Sequence, residues 1–486
     1  MADKEIVNEE ILENVIQRAR ERDIIIPTYE QMRNPEKIPE GIREELKNIG
    51  LWDLHPRNLF RITWKNDPRG GGFGSVNYIE IPREITGVRA KIVVLVGKFF
   101  PTGSHKVGAT FGPLVEKLVR GAFDPTKQKA LWPSTGNYCR GGAYDSYLLS
   151  CPSIAVLPEG MSRERFEWLK KIGAEIYPTP GVESNVKEVF DKAKELKEAR
   201  PEEIVVLNQF DEFGNAIWHY AVTGPAIEEV YHKEKRKDQS FTALFLTQGS
   251  AGTLGSGNYL REKFPTIKIA AGEALQCPTL LYNGFGGHRI EGIGDKHVPW
   301  IFDVRNIDMV IDIDDDACMR IIRLFNEPAG KKLLEREGVA PEIVNKLDLL
   351  GISSVANILG AIKMAKYYEM DENDIVFTIA TDSMELYQSR LREMRQQYGG
   401  YTEMDAAGDF ERYLRGVTTD WMLELSYWDK GRMHNLKYFT WVEQQGKTVE
   451  ELNEQWYNRD YWKEKFSSYK EWDRIIKKFN ERVGLI

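Results

Sequence analysis

Short apolar runs alternate with longer amphipathic segments through the middle of the chain. Runs of strand length that are rich in β-branched residues predict buried β-strands at Ile92–Val96, Ser153–Val156, Ile204–Leu207, Phe241–Thr247, Ile267–Ala271, Met309–Ile313 and Ile375–Thr381. Amphipathic segments of helical length lie between them, most clearly at Arg163–Ile172, Val186–Ala199 and Val355–Tyr368. Because near-continuous apolar strands alternate with helices, the pattern predicts an α/β fold with mainly parallel sheets covered on both faces.

The chain of 486 residues is too long for one small core, and we predict two α/β domains between two extensions. Residues 98–205 form the predicted small domain, while residues 58–97 and 206–390 form the larger one. Residues 1–57 are predicted to be a helix followed by a proline-punctuated loop, and residues 391–486 to be helical.

The C-terminal extension holds half of the 12 tryptophans, namely Trp421, Trp428, Trp441, Trp456, Trp462 and Trp472. Large aromatic side chains are frequent in cores and in interfaces alike. Packing on the same subunit, a dimer contact and a lid over a site are therefore the three roles open to them.

Composition and charge narrow the class of protein. Lys and Arg number 66 against 74 Asp and Glu, a formal net charge of -8 that favours neither nucleic acid nor an anionic membrane as a partner. The four cysteines have no C-x-x-C spacing, and no H-E-x-x-H motif occurs, so we predict no metal site. The acidic start lacks the apolar run of a signal peptide, and no apolar run approaches the ~20 residues of a membrane span. A cytoplasmic enzyme is the default expectation.

The first chemical motif is Pro101–Ala109, in which small residues surround Lys106 at the end of a predicted strand. A lysine amine with a lowered pKa forms a Schiff base with a carbonyl cofactor. A surface turn is the alternative interpretation of this motif taken alone.

Two further motifs connect a predicted strand to a helix. Thr247–Thr253 has the sequence T-Q-G-S-A-G-T and opens a predicted helix, Leu254–Lys263, so its backbone amides and the helix N-terminus favour a phosphate. Pro133–Tyr138 has the sequence P-S-T-G-N-Y, whose hydroxyl, amide and backbone donors suit a carboxylate or phenolate oxygen. Tight turns without a ligand are the alternative for each motif alone.

Taken together and in this order, the three motifs resemble the fold-type II pyridoxal-phosphate enzymes, the cysteine synthase and cystathionine β-synthase family within the tryptophan synthase β-like superfamily. Further segments resemble that family in the same order along the chain: Met161–Gly173, Gln209-Phe210, Thr223–Pro225, Ile290–Gly294, Gly351–Ser354 and Thr381–Ser383. The resemblance spans roughly residues 60 to 390. It implies two three-layer α/β/α domains with twisted, mainly parallel sheets and pyridoxal 5'-phosphate in the cleft between them.

The resemblance also assigns roles to single residues. Lys106 is implied to hold the cofactor as a Schiff base and then to remove the α-proton of the substrate. The residues implied to contact the cofactor are Lys106, His105, Asn137, Gly249, Ser250, Ala251, Gly252, Thr253 and Ser353. The residues implied to bind the substrate are Ser134, Thr135, Gly136, Tyr138 and Gln209.

The family implies β-replacement or α,β-elimination on a small amino acid through an aminoacrylate, carried out by a homodimer. Ser353 opposite the pyridine nitrogen is implied to favour this chemistry, because a neutral hydroxyl does not hold a proton on that nitrogen as a carboxylate does. Tyr138 replaces the final threonine of the cysteine synthase motif T-S-G-N-T, which predicts a reshaped substrate pocket. A threonine, serine or diaminopropionate deaminating lyase, and a non-catalytic binding or regulatory module, are the alternatives.

Overall fold

The computed structural model describes residues 6–134 and 136–485. The strands are β1 Tyr78–Ile81, β2 Lys91–Val96, β3 Lys129–Pro133, β4 Ser153–Pro158, β5 Glu175–Thr179, β6 Ile204–Val206, β7 Ser240–Thr247, β8 Lys268–Ala274, β9 Met309–Ile313, β10 Asp374–Ala380 and β11 Met422–Glu424. The α-helices are α1 Glu9–Glu21, α2 Tyr29–Arg33, α3 Glu40–Leu46, α4 Arg83–Thr86, α5 Lys106–Leu118, α6 Asn137–Leu148, α7 Arg163–Lys171, α8 Val186–Ala199, α9 Phe213–Trp218, α10 Gly224–Glu234, α11 Leu254–Lys263, α12 Thr279–Tyr282, α13 Asp315–Asn326, α14 Pro328–Arg336, α15 Pro341–Val344, α16 Ile352–Tyr367, α17 Gln388–Tyr398, α18 Glu403–Phe410, α19 Tyr427–Lys437, α20 Val449–Tyr457, α21 Tyr461–Ser467 and α22 Tyr469–Val483.

The larger sheet has seven strands in the order β1-β2-β10-β7-β8-β9-β11. Strands β2, β10, β7, β8 and β9 pair in parallel, while β1 and β11 add antiparallel edges. Successive strands β7, β8 and β9 run in one direction across the sheet, and β10 then returns to the other side of β7. The order therefore reverses between β7 and β10, and such a switch point opens a crevice at the carboxyl ends of the strands.

The smaller sheet repeats this arrangement with four parallel strands in the order β5-β4-β3-β6. Strands β3, β4 and β5 run in one direction, and β6 returns to the other side of β3. The fold thus has a second switch point, between β3 and β6. The predicted α/β fold with mainly parallel sheets is confirmed, and the domain boundaries stay a prediction.

The apolar runs predicted seven strands, and all seven are present with bounds shifted by a few residues at most. The predicted helices are also present, and α8 and α11 have the predicted bounds. Four strands lie outside the seven apolar runs: β1 and β11 are short sheet edges, while β3 and β5 each contain proline and a charged residue. Of these, β3 was expected before the motif at Pro133–Tyr138, although no bounds were predicted for it. Ser162 stands at the N-terminus of α7, but its side chain makes no capping hydrogen bond.

The N- and C-terminal extensions pack on each other. The carboxylate of Asp473 on α22 accepts hydrogen bonds from the backbone amides of Tyr29 and Glu30, at 2.6 and 3.1 Å. The side chain of Asn480 bonds both the amide and the carbonyl of Ile26, at 3.1 and 2.8 Å. These buried contacts bring the two ends of the chain together on one side of the molecule.

Five of the six tryptophans of the C-terminal extension divide into two groups, and Trp456 is half-buried. Trp441, Trp462 and Trp472 are buried within the chain, which matches packing on the same subunit. Trp428 is 80% exposed and Trp421 is 45% exposed. Of the described helices, none alone has the length and composition of a membrane span; one bent pair, 341–349 with 352–367, meets the criterion together at an angle of 119°.

Candidate active site

The two switch points meet at one cavity that contains the Lys106 amine. Its first compartment, of about 360 Å³, is lined by the loop after β7 and by Thr381, which directly follows β10. Its second compartment, of about 370 Å³, is lined by the loop after β3 and by Gln209, which follows β6. Lys106 and Ser250 line both compartments.

Lys106 begins α5, and its amine lies between the loop after β6 and the loop after β7. Its Nζ lies 3.2 Å from Ser250 Oγ and 3.4 Å from Gln209 Oε1. Loss of hydration lowers the pKa of Lys106 to about 8, and the nearby charge of Glu183 limits that decrease. A substantial fraction of the amine is therefore unprotonated and nucleophilic near neutral pH.

The loop Gly249–Thr253 forms one wall of the first compartment at the N-terminus of α11. Ser250, Ala251 and Thr253 donate no backbone hydrogen bond to another residue in the described parts of the chain. Ala251 has φ +60°, a left-handed conformation that turns the backbone sharply. Free amides at the start of a helix of ten residues form an anion site, and they suit the phosphate of pyridoxal 5'-phosphate.

His105 is fully buried and lines the same compartment as this loop. Its Nε2 lies 3.3 Å from Thr381 Oγ1, and its ring packs against Trp64 and His219. Burial, with the neighbouring Lys106 charge, lowers the pKa of His105 to about 3, so the ring is neutral at physiological pH. A contact with phosphate from this side chain would be a hydrogen bond and not an ion pair.

The loop after β3, which was predicted to bind the substrate, lines the second compartment. Ser134 Oγ accepts from the amide of Gly136 at 3.1 Å and from Gln209 Nε2 at 3.4 Å. The predicted contact of Thr135 lies outside the described residues. Tyr138 is buried with its ring edge-to-face on Trp132, and its hydroxyl has no hydrogen-bond partner in the described chain.

Asn137 starts α6 and lines the second compartment with the other residues of this loop. Its Nδ2 donates to Asp382 Oδ2 at 2.5 Å, and its Oδ1 lies 3.5 Å from an Arg140 nitrogen. Tyr387 donates to the same Asp382 oxygen at 2.6 Å. The predicted role of Asn137 toward the ring hydroxyl stays a prediction.

Ser353 lies behind the cavity wall and does not line either compartment in the described chain. It is buried, and its hydroxyl has no partner within the described ranges. A Cβ atom added to Gly292, which lines both compartments, would come within 3.7 Å of Ser353 Oγ. Because Gly292 has no side chain, no side-chain atom of this residue stands between Ser353 and the cavity.

Sequence reasoning missed the residue that connects the two ligand loops. Asn215 is fully buried, and its Nδ2 donates to Ser250 Oγ at 3.0 Å and to the carbonyl of Gln209 at 2.9 Å. Asn357 is the second such amide: it holds the Thr247 amide at 2.9 Å and the Ile379 carbonyl at 2.6 Å. Neither residue stands in a Gly-rich motif, so no local pattern indicated them.

The free loop amides and the unprotonated amine suit pyridoxal phosphate, and comparison with known proteins identifies the same cofactor. The profile of the family described as "Pyridoxal-phosphate dependent enzyme" matches residues 76–382, and the chain belongs to this family.

The known proteins to which the chain is similar in sequence include cysteine synthases. The chain is 29% identical over 301 residues to the probable cysteine synthase of Bacillus subtilis, covering 62% of this chain and 89% of that protein. It is 30% identical over 277 residues to the cysteine synthase of Staphylococcus aureus, covering 57% and 81%. Among solved structures, it is 25% identical to the O-acetylserine-dependent cystathionine β-synthase of Helicobacter pylori, with a TM-score of 0.53 over 64% of this chain and 94% of that one. The protein is therefore a pyridoxal-phosphate-dependent enzyme of amino-acid metabolism.

Proposed function

We propose that this enzyme catalyses β-replacement or α,β-elimination on a small amino acid, as a cysteine synthase-like transferase or lyase. The observation that carries the proposal is the position of the Lys106 amine between two anion-binding loops. The loop after β7 suits the cofactor phosphate, and the loop after β3 suits a substrate carboxylate. The relatives named as cysteine synthases support the same class of reaction.

The amine of Lys106 is suited to two tasks. With a pKa of about 8, it is available to hold the cofactor covalently and, once released, to take the proton from the substrate Cα. The bound cofactor supplies an electron sink for the electron pair left on that carbon. Ser250 Oγ and Gln209 Oε1, at 3.2 and 3.4 Å, direct the lysine nitrogen toward the cavity.

The carboxylate of the substrate is proposed to bind at the start of α6. The dipole of this helix of twelve residues favours an anion at its N-terminus. Ser134 Oγ and Gln209 Nε2, which lie 3.4 Å apart, supply side-chain donors on the same side of the cavity. A carboxylate held there orients the Cα–H bond toward Lys106.

Ser353 is proposed to act on the pyridine nitrogen as a neutral partner. Its buried hydroxyl lacks a partner among the described residues, which leaves it free to bond a ligand across Gly292. Since a hydroxyl does not hold a proton on the nitrogen as a carboxylate would, loss of a β-substituent is favoured over amino-group transfer. A homodimer in the cytoplasm, as for the family that the sequence resembles, completes the proposal.

The test begins with the lysine. Reduction of the holoenzyme with borohydride is expected to attach the pyridoxyl group to the peptide that contains Lys106, and the Lys106→Ala variant is expected to lose that adduct. The matched control Lys98→Ala changes a lysine that pairs with Glu385 outside the cavity and keeps the adduct. An adduct of normal yield in the Lys106→Ala protein would refute the assignment.

The reaction is tested with O-acetylserine and serine, each with and without a thiol. A new thioether or thiol amino acid indicates replacement, and pyruvate with ammonia indicates elimination. Threonine in the same panel identifies a hydroxyamino-acid dehydratase. Conversion of the cofactor to pyridoxamine with every amino donor would contradict the proposed class of reaction.

A further inference from the structure

Two carboxylic side chains that belong to none of the predicted site motifs line the second compartment. Glu183 lies between β5 and α8, and Asp295 follows the turn at Gly292. Both are buried, at 3% and 1% exposure, and both line the compartment with Lys106 and Tyr138. We name this wall, formed by Glu183, Asp295 and Tyr138, the acidic wall.

The acidic wall has unsatisfied hydrogen-bonding capacity. Asp295 Oδ1 and the Tyr138 hydroxyl are both buried without a hydrogen-bond partner in the part of the chain that the structure describes. Buried polar groups are almost always hydrogen-bonded in folded proteins, so two exceptions that line one cavity indicate a ligand that completes them.

Two cations near the acidic wall are each paired with another carboxylate. Lys296 is next to Asp295 in sequence, but its ammonium pairs with Glu188 at 3.6 Å. Arg165, which is buried beside the cavity, is in an ion pair with Glu291. Burial raises the pKa of Asp295 well above its usual range, and repulsion from Glu183 adds to the increase. The remaining cation that lines the compartment is Lys106, whose amine is committed to the cofactor.

We propose that Glu183 and Asp295 form a subsite for a protonated amino group on the side chain of the substrate, so that the preferred substrates are small diamino acids. The inference rests on the proposed function, because it takes the α-carboxylate to lie at Ser134 and Gln209 and the α-amino group to lie at Lys106. The side chain of the substrate then extends toward the acidic wall, where the Tyr138 oxygen is a further acceptor. Because its pKa is raised, the Asp295 carboxyl ionises when a cation binds beside it, and an anionic β-substituent such as a phosphate ester gains no attraction from this wall.

The main chain that carries Asp295 is held firmly. Its carbonyl accepts from Thr279 Oγ1 at 2.7 Å. Two residues further on, His297 Nδ1 lies 3.0 Å from Thr440 Oγ1, and the Val298 carbonyl accepts from Trp441 Nε1 at 2.8 Å. Both of these contacts come from the C-terminal extension, which thereby fixes the position of the acidic wall.

The test measures amino-acid binding to the holoenzyme through the change in visible absorption of the cofactor. The matched ligands are L-2,3-diaminopropionate and L-2-aminobutyrate, which differ by an ammonium in place of a methyl group. The wild-type enzyme is expected to prefer the diamino acid. Asp295→Asn and Glu183→Gln are each expected to raise its dissociation constant at least about tenfold, as for loss of one charge-assisted contact. The dissociation constant of aminobutyrate is expected to stay within about twofold, because no contact to a methyl group is lost.

Asp191→Asn is the matched control, since it removes one exposed carboxylate on α8 that pairs with Lys187 outside the cavity. It is expected to leave both dissociation constants unchanged. Equal affinity of the wild-type enzyme for the two ligands would overturn the inference, as would an equal loss of affinity for both in the two cavity variants. Should one variant fail to fold, the other variant and the wild-type comparison still decide.

The outcome for the proposed function is separate. Normal turnover of O-acetylserine without a preference for the diamino acid would overturn the acidic subsite and leave β-replacement intact. Selective binding of the diamino acid, with no β-elimination or β-replacement of any amino acid, would refute the proposed reaction and support the subsite.

Discussion

Replacing Gly252 with alanine tests whether the loop after β7 holds the cofactor. A Cβ atom at this position would lie 2.1 Å from Asn215 Oδ1 and 2.7 Å from Asn215 Cγ. Asn215 is fully buried, so its amide has no open space to enter. The methyl group therefore forces the amide away from its two acceptors, Ser250 Oγ and the carbonyl of Gln209.

The expected magnitude follows from these contacts. Two hydrogen bonds, now at 3.0 and 2.9 Å, are weakened or lost, which removes about 1–3 kcal/mol of stabilisation from the ordered loop. If half or more of that free energy appears in cofactor binding, the dissociation constant rises about 2- to 150-fold. Overpacking adds about 1–3 kcal/mol to the loss of folding stability.

The assay is fluorescence titration of the apoenzyme with pyridoxal phosphate, together with thermal unfolding. Two glycine variants serve as controls. Gly257→Ala lies in α11, the helix that this loop precedes, and its nearest contact would be Ile269 Cδ1 at 3.3 Å, so a small effect is expected. Gly408→Ala in α18 would meet nothing within 4 Å, and alanine there should stabilise the helix by up to about 1 kcal/mol. Wild-type cofactor affinity in the Gly252→Ala protein would refute the placement of the phosphate.

Three further outcomes are expected. Because the pKa of Lys106 is about 8, capture of pyridoxal phosphate by the apoenzyme should speed up about tenfold between pH 7 and 9, whereas an ordinary lysine amine gives about a hundredfold rise. A rise matching that of Nα-acetyllysine amide would contradict the lowered pKa. Burial lowers the pKa of Lys437 to about 7, so between that pH and the ordinary lysine pKa the unfolded chain binds more protons than the folded one. The free energy of unfolding should therefore rise by about 2 kcal/mol from pH 7 to 9. Relative to Lys437→Met, the wild type should gain this amount of stability, and a difference between the two that does not change with pH would refute the shift. Asp473→Ala removes two bonds to backbone amides of the N-terminal extension and should cost about 1–3 kcal/mol, or a few degrees in melting temperature. Asp460→Ala, at an exposed position of the C-terminal extension to which Asp473 also belongs, is the control, and equal melting temperatures of the two variants would show that this contact is not needed.

The sequence predicted the architecture well because the central strands are buried on both faces. Such strands need an apolar residue at nearly every position, and β9, for example, has the predicted bounds Met309–Ile313. The edge strands escape this rule, since one side of an edge faces solvent or a loop. The edge strand Glu175–Thr179 contains charged, proline and aromatic residues for this reason, and five such residues show no hydrophobic alternation that would distinguish a strand from a loop.

Site residues could be predicted where the conformation of a loop requires a recognisable local sequence. Gly-rich loops between a strand and a helix are such sequences, and the structure brings Ser134, Gln209, Gly249 and Lys106 to one cavity. Asn215 holds the loops together from a distant segment, and an isolated buried amide has no local sequence signature. Glu183 and Asp295 were missed for the same reason: their significance is their shared wall, which only the topology creates.

The C-terminal extension has a structural role next to the acidic wall. Lys437 of the C-terminal extension donates to the carbonyls of Trp300 and Phe302 at 3.1 and 2.7 Å, a few residues beyond Asp295. The segment between Asp295 and these residues has no strand or helix of its own, so its backbone groups need partners from elsewhere. The extension supplies them with side chains that are themselves buried, and so determines where one wall of the active-site cavity stands. Substrate selection in this enzyme is therefore expected to depend on a part of the chain that lies outside the catalytic fold.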